Sequence, residues 1–412
     1  MQTEKMIDKG SADEILKTKN GKLARFLQNI KYDKDFNLFL VVGFLSGIAS
    51  GINSTVFNNF LSDTYKLSAV ARGVVEFPRE LPGALIMLVL GLLAFIGDIR
   101  ASVIAMLASA LGMVGLGMFS PTFASMLVWM MILNLGMHMF MPLAPSIGMN
   151  LSKKGEYGIR LGRYNAYNLM ATIFGYAMVW SGFKYFGLTY RVSFILAAVF
   201  YALSAFFLRL MQPQKPKKSR PRLLFRKKYT LYYVLCVVNG ARKQIFLTFA
   251  PWVLIQYYHL DPPVFAVLGV VIATVSILTR TIVGNAIDRL GERFVLSTEA
   301  IVLIAICMGY AFAANLFSPE VAVVIIAVCY IIDQSMSAVE MARSTYVKKI
   351  AVDPDDVTLT LSVGTSVDHL VSMTIPVLGG LLWASVGYKY VFLAATLIAV
   401  LNLVLSRRIR IE

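Results

Sequence analysis

The chain has 412 residues, of which 58% are hydrophobic and 15% charged, with a mean hydropathy of +0.68 and a net charge of +16. Soluble domains carry roughly a quarter of their residues as charges, so a soluble enzyme or binding module is excluded and most of this surface is expected to face lipid. The basic excess would suggest nucleic acid in a soluble protein. Here it gathers in alternate loops, which makes it a signal of membrane topology, and no nucleic-acid partner is expected.

Residues 1–35 are polar and of mixed charge, without the apolar core of a signal peptide. Within them Leu23, Phe26, Leu27 and Ile30 repeat at a helical spacing that suits the inner leaflet surface. About 20 mostly apolar residues cross a bilayer. Twelve such stretches follow, at 36–61, 69–96, 101–119, 122–151, 164–183 and 190–210, then at 229–258, 263–287, 294–316, 319–342, 357–383 and 388–405. Alternate loops are basic: one holds Lys153, Lys154, Arg160 and Arg163, others hold Arg289 and Arg293, then Arg343, Lys348 and Lys349, and the tail holds Arg407, Arg408 and Arg410. The stretch from Arg209 to Lys228 is rich in Lys and Arg and has no acid, and Pro213, Pro216 and Pro221 mark it as a linker. The opposite loops, at 120–121, 259–262 and 317–318, are short and nearly uncharged. By the positive-inside rule the basic side is cytoplasmic. The expected plan is therefore a cytoplasmic tail (1–35), a six-helix bundle (36–211), a basic central loop (212–228), a second six-helix bundle (229–408) and a short cytoplasmic tail (409–412), all in the inner membrane. Cys236, Cys307 and Cys329 fall inside apolar runs, so no disulfide framework is implied, and no metal-ligand spacing is present.

One loop carries a specific motif. After the eighth span the chain reads Gly284, Asp288, Arg289, Gly291 and Arg293, matching the pattern GxxxDRxGxR at each defining position. With the six-plus-six layout and the basic central loop, the sequence resembles the major facilitator superfamily. The family carries the motif after the second span too. There this chain has Ala94, Gly97, Asp98 and Arg100, so an Asp is kept, the leading Gly is Ala and the Arg is displaced by one. The resemblance implies an all-α fold of twelve transmembrane helices in two pseudo-symmetric six-helix bundles, with Asp98, Arg100, Gly284, Asp288, Arg289, Gly291 and Arg293 as gating residues. The segment 155–163 resembles the family's connection between spans four and five, and Pro376, Gly379 and Gly380 resemble its helix-bending pattern in span eleven. The Gly-Pro signature of drug–proton antiporters is missing from span five. Gly284 is expected to let two helices approach, and Gly43, Gly47 and Gly51 give the first span a close-packing face.

Charges within spans narrow the site. A charge at the bilayer centre costs roughly 2.5–3.5 kcal/mol on insertion scales, so it normally faces protein or water. Span two places Arg72, Glu76 and Arg79 or Glu80 on one face, beside Pro78 and Pro82, either as a cavity-facing cluster or as a static network within that helix near the outer surface. Span four offers Asn134 and His138; span seven Asn239, Arg242, Lys243 and Phe246; span ten a stripe of Tyr330, Asp333, Ser337, Glu340 and Ser344; span eleven Asp368 and His369. Ser46, Asn53, Asn168 and Tyr176 complete an expected polar lining. Arg242 and Lys243 either meet an anionic ligand or pair internally with Asp333 or Asp368.

The resulting expectation is a monomeric secondary active transporter that moves a small polar, anionic organic solute by alternating access. No GxxxxGK[ST] motif is present and no cofactor is expected, so an ion gradient, most simply of protons, is the driving force. Glu80, Asp333, Asp368, His138 and His369 are the candidate coupling groups, His because it titrates near neutral pH. Export of amphipathic drugs is the alternative within transport, and a transporter-like membrane sensor the alternative outside it. An intramembrane enzyme would need a motif around His138 or His369, and there is none.

Overall fold

Backbone amides inside a bilayer find no water, so a spanning chain satisfies them within helices or closed barrels. The computed structural model describes residues 34–152, 156–212 and 226–410, and its regular structure there is entirely helical. In chain order the first half contains α1 (Lys34–Tyr65), α2 (Ala69–Ala84), α3 (Ile86–Leu93), α4 (Asp98–Met118), α5 (Phe123–Asn150), α6 (Tyr157–Tyr185) and α7 (Tyr190–Arg209). The second half contains α8 (Thr230–Gln256), α9 (Pro262–Leu316), α10 (Pro319–Ser335), α11 (Glu340–Ile350), α12 (Pro354–Val386) and α13 (Tyr388–Ser406). The amphipathic tail, Lys153 and Lys154, and most of the basic central loop lie outside the described residues.

Spans two and ten differ from their expected form. Span two breaks into α2 and α3 at Leu85, just after Pro78 and Pro82, because each proline withholds an amide from the helix. Span ten breaks at a 3-10 turn over Met336–Val339 and runs on as α11, eight residues past the expected end at 342. Spans eight and nine are two helices within α9, separated by a kink at Gly291. Together they cover 55 residues, about 80 Å if straight, against a hydrocarbon core of about 30 Å. The chain turns back at Gly291, whose φ of 80° and ψ of 166° lie in a region that L side chains avoid. At the end with short, nearly uncharged turns, helix starts carry side-chain caps: Ser68 accepts from the Ala71 amide, Thr189 from Val192 and Asp261 from Val264, and Thr122 forms a capping box with Ser125. Among the described residues, eight helical stretches, counting α9 once, are long and apolar enough to cross a membrane.

Each half has its own apolar core. Phe39, Ile52, Met113, Met130, Val179 and Phe194 pack together in the first half, and Phe246, Phe249, Leu303, Tyr310 and Phe392 in the second. Lipid supplies no hydrophobic drive between helices, so close backbone approach has to hold them. A Cβ on Gly47 or Gly51 of α1 would come within 2.4 Å of the Asn168 or Thr172 carbonyl on α6, as the spacing of those glycines implies. The two halves meet in the same way, α2 against α12: a Cβ on Gly73 would lie 2.2 Å from the Pro376 carbonyl oxygen, and one on Gly380 2.6 Å from that of Ala69. Beside this seam the Asn59 amide donates to the Leu260 carbonyl at 2.8 Å and the Gln256 amide to the Ser62 hydroxyl at 2.8 Å. The halves are sealed at the end with short turns.

The Gly73 and Gly380 contacts lie between the halves, whereas the Gly47 and Gly51 contacts lie within the first half. Gly73→Val is expected to leave each bundle folded but to hold this end apart. Spin labels at the exposed Thr64 and Val321 should then report a longer distance than in the parent protein. An unchanged distance distribution would show that the seam does not set closure.

Candidate functional site

Two cavities, each of about 410 Å³, lie between the seal and the basic end. Met141 lines both, so they meet at the junction of the halves. The first-half wall is largely apolar, with Met106, Met137, Phe140 and Tyr164 beside the polar Ser46 and Asn168. Of the other expected lining groups, Tyr176 instead packs on Gly269 of α9, and Asn53 borders neither cavity. The second-half wall is charged. It brings together Asn239, Arg242, Lys243, Asp333, Glu340 and Asp368, all anticipated from the sequence, with His369 at the edge.

These charges are paired. The Arg242 guanidinium meets Asp333 at 2.5 Å and leans toward the Asn239 side-chain oxygen at 3.5 Å, while the Gln334 amide donates to the other Asp333 oxygen at 3.1 Å. Lys243 is bonded to Asp368. Adjacent residues on a helix point about 100° apart, and so Arg242 reaches α10 while Lys243 reaches α12. The internal pairing that the sequence left open is thus realised, as Arg242–Asp333 and Lys243–Asp368.

Two corrections concern span ten. Its expected single stripe is broken, because the 3-10 turn between Asp333 and Glu340 rotates the helix. Asp333 is buried, whereas the Glu340 side chain is 60% exposed. Arg343, expected in a basic loop, is buried on α11, donates to both oxygens of Glu299 at 3.3 and 3.4 Å, and lies 3.6 Å from Glu340. The signal for this pair was Glu299 itself, an acid inside span nine that needed a partner.

A second charge centre lies by the seal. Glu76 receives Arg72 at 2.5 Å, Arg79 at 3.0 Å and, from the other half, the Gln244 amide at 2.8 Å. Arg72 also donates to Asn58 at 3.0 Å and lies over the Trp252 ring, 5.8 Å from its centroid. Arg72 and Glu76 are fully buried and line neither cavity. The cluster therefore joins the two halves, which neither the cavity-facing nor the single-helix reading had included. Gln244, a mid-span amide, was the legible clue.

A third group collects Glu80 from α2, His138 from α5 and His369 from α12. The Glu80 carboxylate is 2.9 Å from His369 Nδ1 and 3.8 Å from His138 Nε2, and the two rings meet edge to face at 5.1 Å. His138 Nδ1 donates to the Asn134 carbonyl at 2.8 Å. Asn134 does not join the polar lining; its amide turns back to the Met130 carbonyl of its own helix.

The motif residues need a change of register. Gly97 has φ 80° and ψ 161°, almost the values of Gly291, so the two are counterparts. Asp98 then matches Glu292, and the position matching Asp288 is Ala94. Asp98 accepts from Ser146 at 2.5 Å at the end of α5, and Glu292 meets Lys349 at 2.8 Å at the end of α11. Asp288, Arg289 and Arg293 are exposed and make no ion pair among the described residues, and nor does Arg100. A Cβ on Gly284 would touch nothing within 4 Å. The helix contact expected there is therefore missing among the described residues.

The residues 39–351 match the family model described as the Major Facilitator Superfamily. No curated protein sequence matches the chain. Among solved structures, a mutant form of the nucleoside transporter NupG is 13% identical, with a TM-score of 0.75, covering 90% of this chain and 98% of that one. A bacterial homolog of the human lysosomal transporter Spinster, inward-facing and occupied, is 16% identical with a TM-score of 0.69, covering 90% and 95%. An auto-inhibited peptide transporter of the POT family is 11% identical with a TM-score of 0.72, covering 92% and 98%. At these identities the likeness is one of fold. With three-quarters of its length inside the family model, this multi-pass membrane protein belongs to the Major Facilitator Superfamily and is a transporter, not an enzyme.

Proposed function

We propose that the protein is a monomeric, proton-coupled secondary transporter of the inner membrane, taking up a small organic anion with an apolar body. The basic end is cytoplasmic, so the described conformation is inward-facing: open to the cytoplasm and sealed outside. The observation that carries the reading is the Arg242–Asp333 pair, a buried ion pair on the wall of a cavity whose facing wall is apolar.

The pairing links proton and solute. While Asp333 is ionised it occupies Arg242, and a solute carboxylate has no free cation to meet. A proton on Asp333 removes that competitor, and the planar guanidinium then holds the solute carboxylate through two bonds. The carbon skeleton rests on Met137, Phe140 and Met141 of the opposite wall. Loss of the proton to the cytoplasm restores the internal pair and expels the solute. Charge in the cavity stays balanced throughout, which a membrane interior demands. The printed substrates of the fold neighbours, nucleosides and peptides, differ from one another, so shape alone does not select among solutes.

Uptake of radiolabelled organic acids into proteoliposomes, with nucleosides and dipeptides for comparison, should be driven by external acid for at least one acid. Asp333→Asn leaves Arg242 unopposed, so this variant is expected to bind and exchange solute but to lose accumulation driven by the pH gradient. Arg242→Gln should abolish uptake, with Arg242→Lys recovering only part. A single change at Arg242 leaves a bare buried charge at a cost of about 3–5 kcal/mol, so the double variant Arg242→Gln with Asp333→Asn should be the more stable. Full transport by that double variant would reduce the pair to scaffolding.

Orientation is checked separately. A cysteine at the exposed Arg408 should react with an impermeant reagent only from the cytoplasmic side, and one at Thr64 only from outside. Labelling of Arg408→Cys in intact cells would invert the assignment.

A further inference from the structure

Glu80, His138 and His369 bring together two imidazoles and a carboxylate whose ligand atoms all lie within 4.8 Å of one another. Their side chains are only 12–14% exposed, so the cluster sits between the halves and out of bulk water. Two ligands on tetrahedral zinc, bound at about 2.0–2.1 Å, stand about 3.4 Å apart. The separations here, 2.9 Å and 3.8 Å to the Glu80 oxygen, bracket that value.

The tautomer of His138 also fits. A carbonyl oxygen only accepts, so the 2.8 Å contact with the Asn134 carbonyl fixes the ring proton on Nδ1. That leaves the lone pair on Nε2, aimed at Glu80. An imidazole that donates one ring N–H to a backbone carbonyl and presents the other nitrogen is the usual arrangement of a metal-binding histidine. Space for the rings comes from Gly83, where a Cβ would lie 2.7 Å from His138 and 2.8 Å from His369.

The geometry points to a binding site for one divalent transition metal ion of the zinc class, held by Glu80, His138 Nε2 and His369 Nδ1 with one position left for water. Nitrogen ligands favour such ions over magnesium or calcium. Glu80 and His138 belong to the first half and His369 to the second, so all three ligands meet only while the halves are sealed at the end with short turns. Bound metal therefore holds that end shut and inhibits the transport cycle. The inference does not depend on which solute is carried or on how transport is coupled.

The test uses the full-length protein in detergent, without a polyhistidine tag and stripped with a chelator. Calorimetry with Zn2+ and visible absorption with Co2+ should show one site per chain, with a low-coordinate cobalt spectrum and no competition from Mg2+. His138→Gln, His369→Gln and Glu80→Gln should each weaken Zn2+ binding at least tenfold, and Gly83→Ala should weaken it without removing a ligand. Zn2+ should also narrow the distance between spin labels at Thr64 and Val321 in the parent protein but not in His369→Gln. Absence of saturable binding in the parent overturns the site whether or not the variants fold. Equal affinity in His369→Gln overturns it too.

Discussion

A bare charge in lipid is the constraint from which this structure follows. Arg72, Glu76, Arg242, Asp333, Glu299 and Arg343 are all buried, and each has a partner of opposite charge. Breaking such a pair costs far more than the pair contributes to stability. These contacts are therefore better regarded as rules of combination than as glue: they specify which helix faces can meet. Arg242 selects α10, Lys243 selects α12, and Glu299 selects α11. The apolar surfaces, which dominate the composition, are indifferent between lipid and protein and could not make those choices.

The sealed end combines two kinds of contact. Gly73 and Gly380 let backbones touch, which supplies dispersion contact and excludes water. Glu76 and Gln244 add a directional bond across the same seam. A seam made only of glycine contacts would tolerate sliding, and one made only of ion pairs would carry a large desolvation cost. Together they give a closed state that is well defined and still separable, as a carrier requires.

Much of this was legible from the sequence. The all-helical membrane fold and the polar face of α8 follow from hydropathy and helical period, because the bilayer enforces both. The pairing of Arg242 and Lys243 with Asp333 and Asp368 was one of two open readings, since sequence fixes that a partner is needed but not which acid lies opposite. Arg343 was misplaced because the basic-loop rule counts charges and cannot see that α11 continues inward. The motif register at Asp98 went astray because the comparison matched acids by identity, when the turn is defined by its glycine. Glu80, His138 and His369 were each named as candidate coupling groups, but their meeting was not legible, because metal-ligand spacing is a pattern within one segment and these residues come from three helices.

The agreement of Gly97 and Gly291 in φ and ψ has a consequence for the origin of the chain. Around these two turns the side chains differ: Ile-Gly-Asp in one copy and Leu-Gly-Glu in the other, with an aspartate three positions before the glycine in only one. The dihedral angles nevertheless coincide within a few degrees. If the halves descend from one ancestral six-helix unit, what was inherited with least change is the torsion of the hairpin rather than its lettering. Each copy was then free to acquire its own chemistry, provided the glycine stayed.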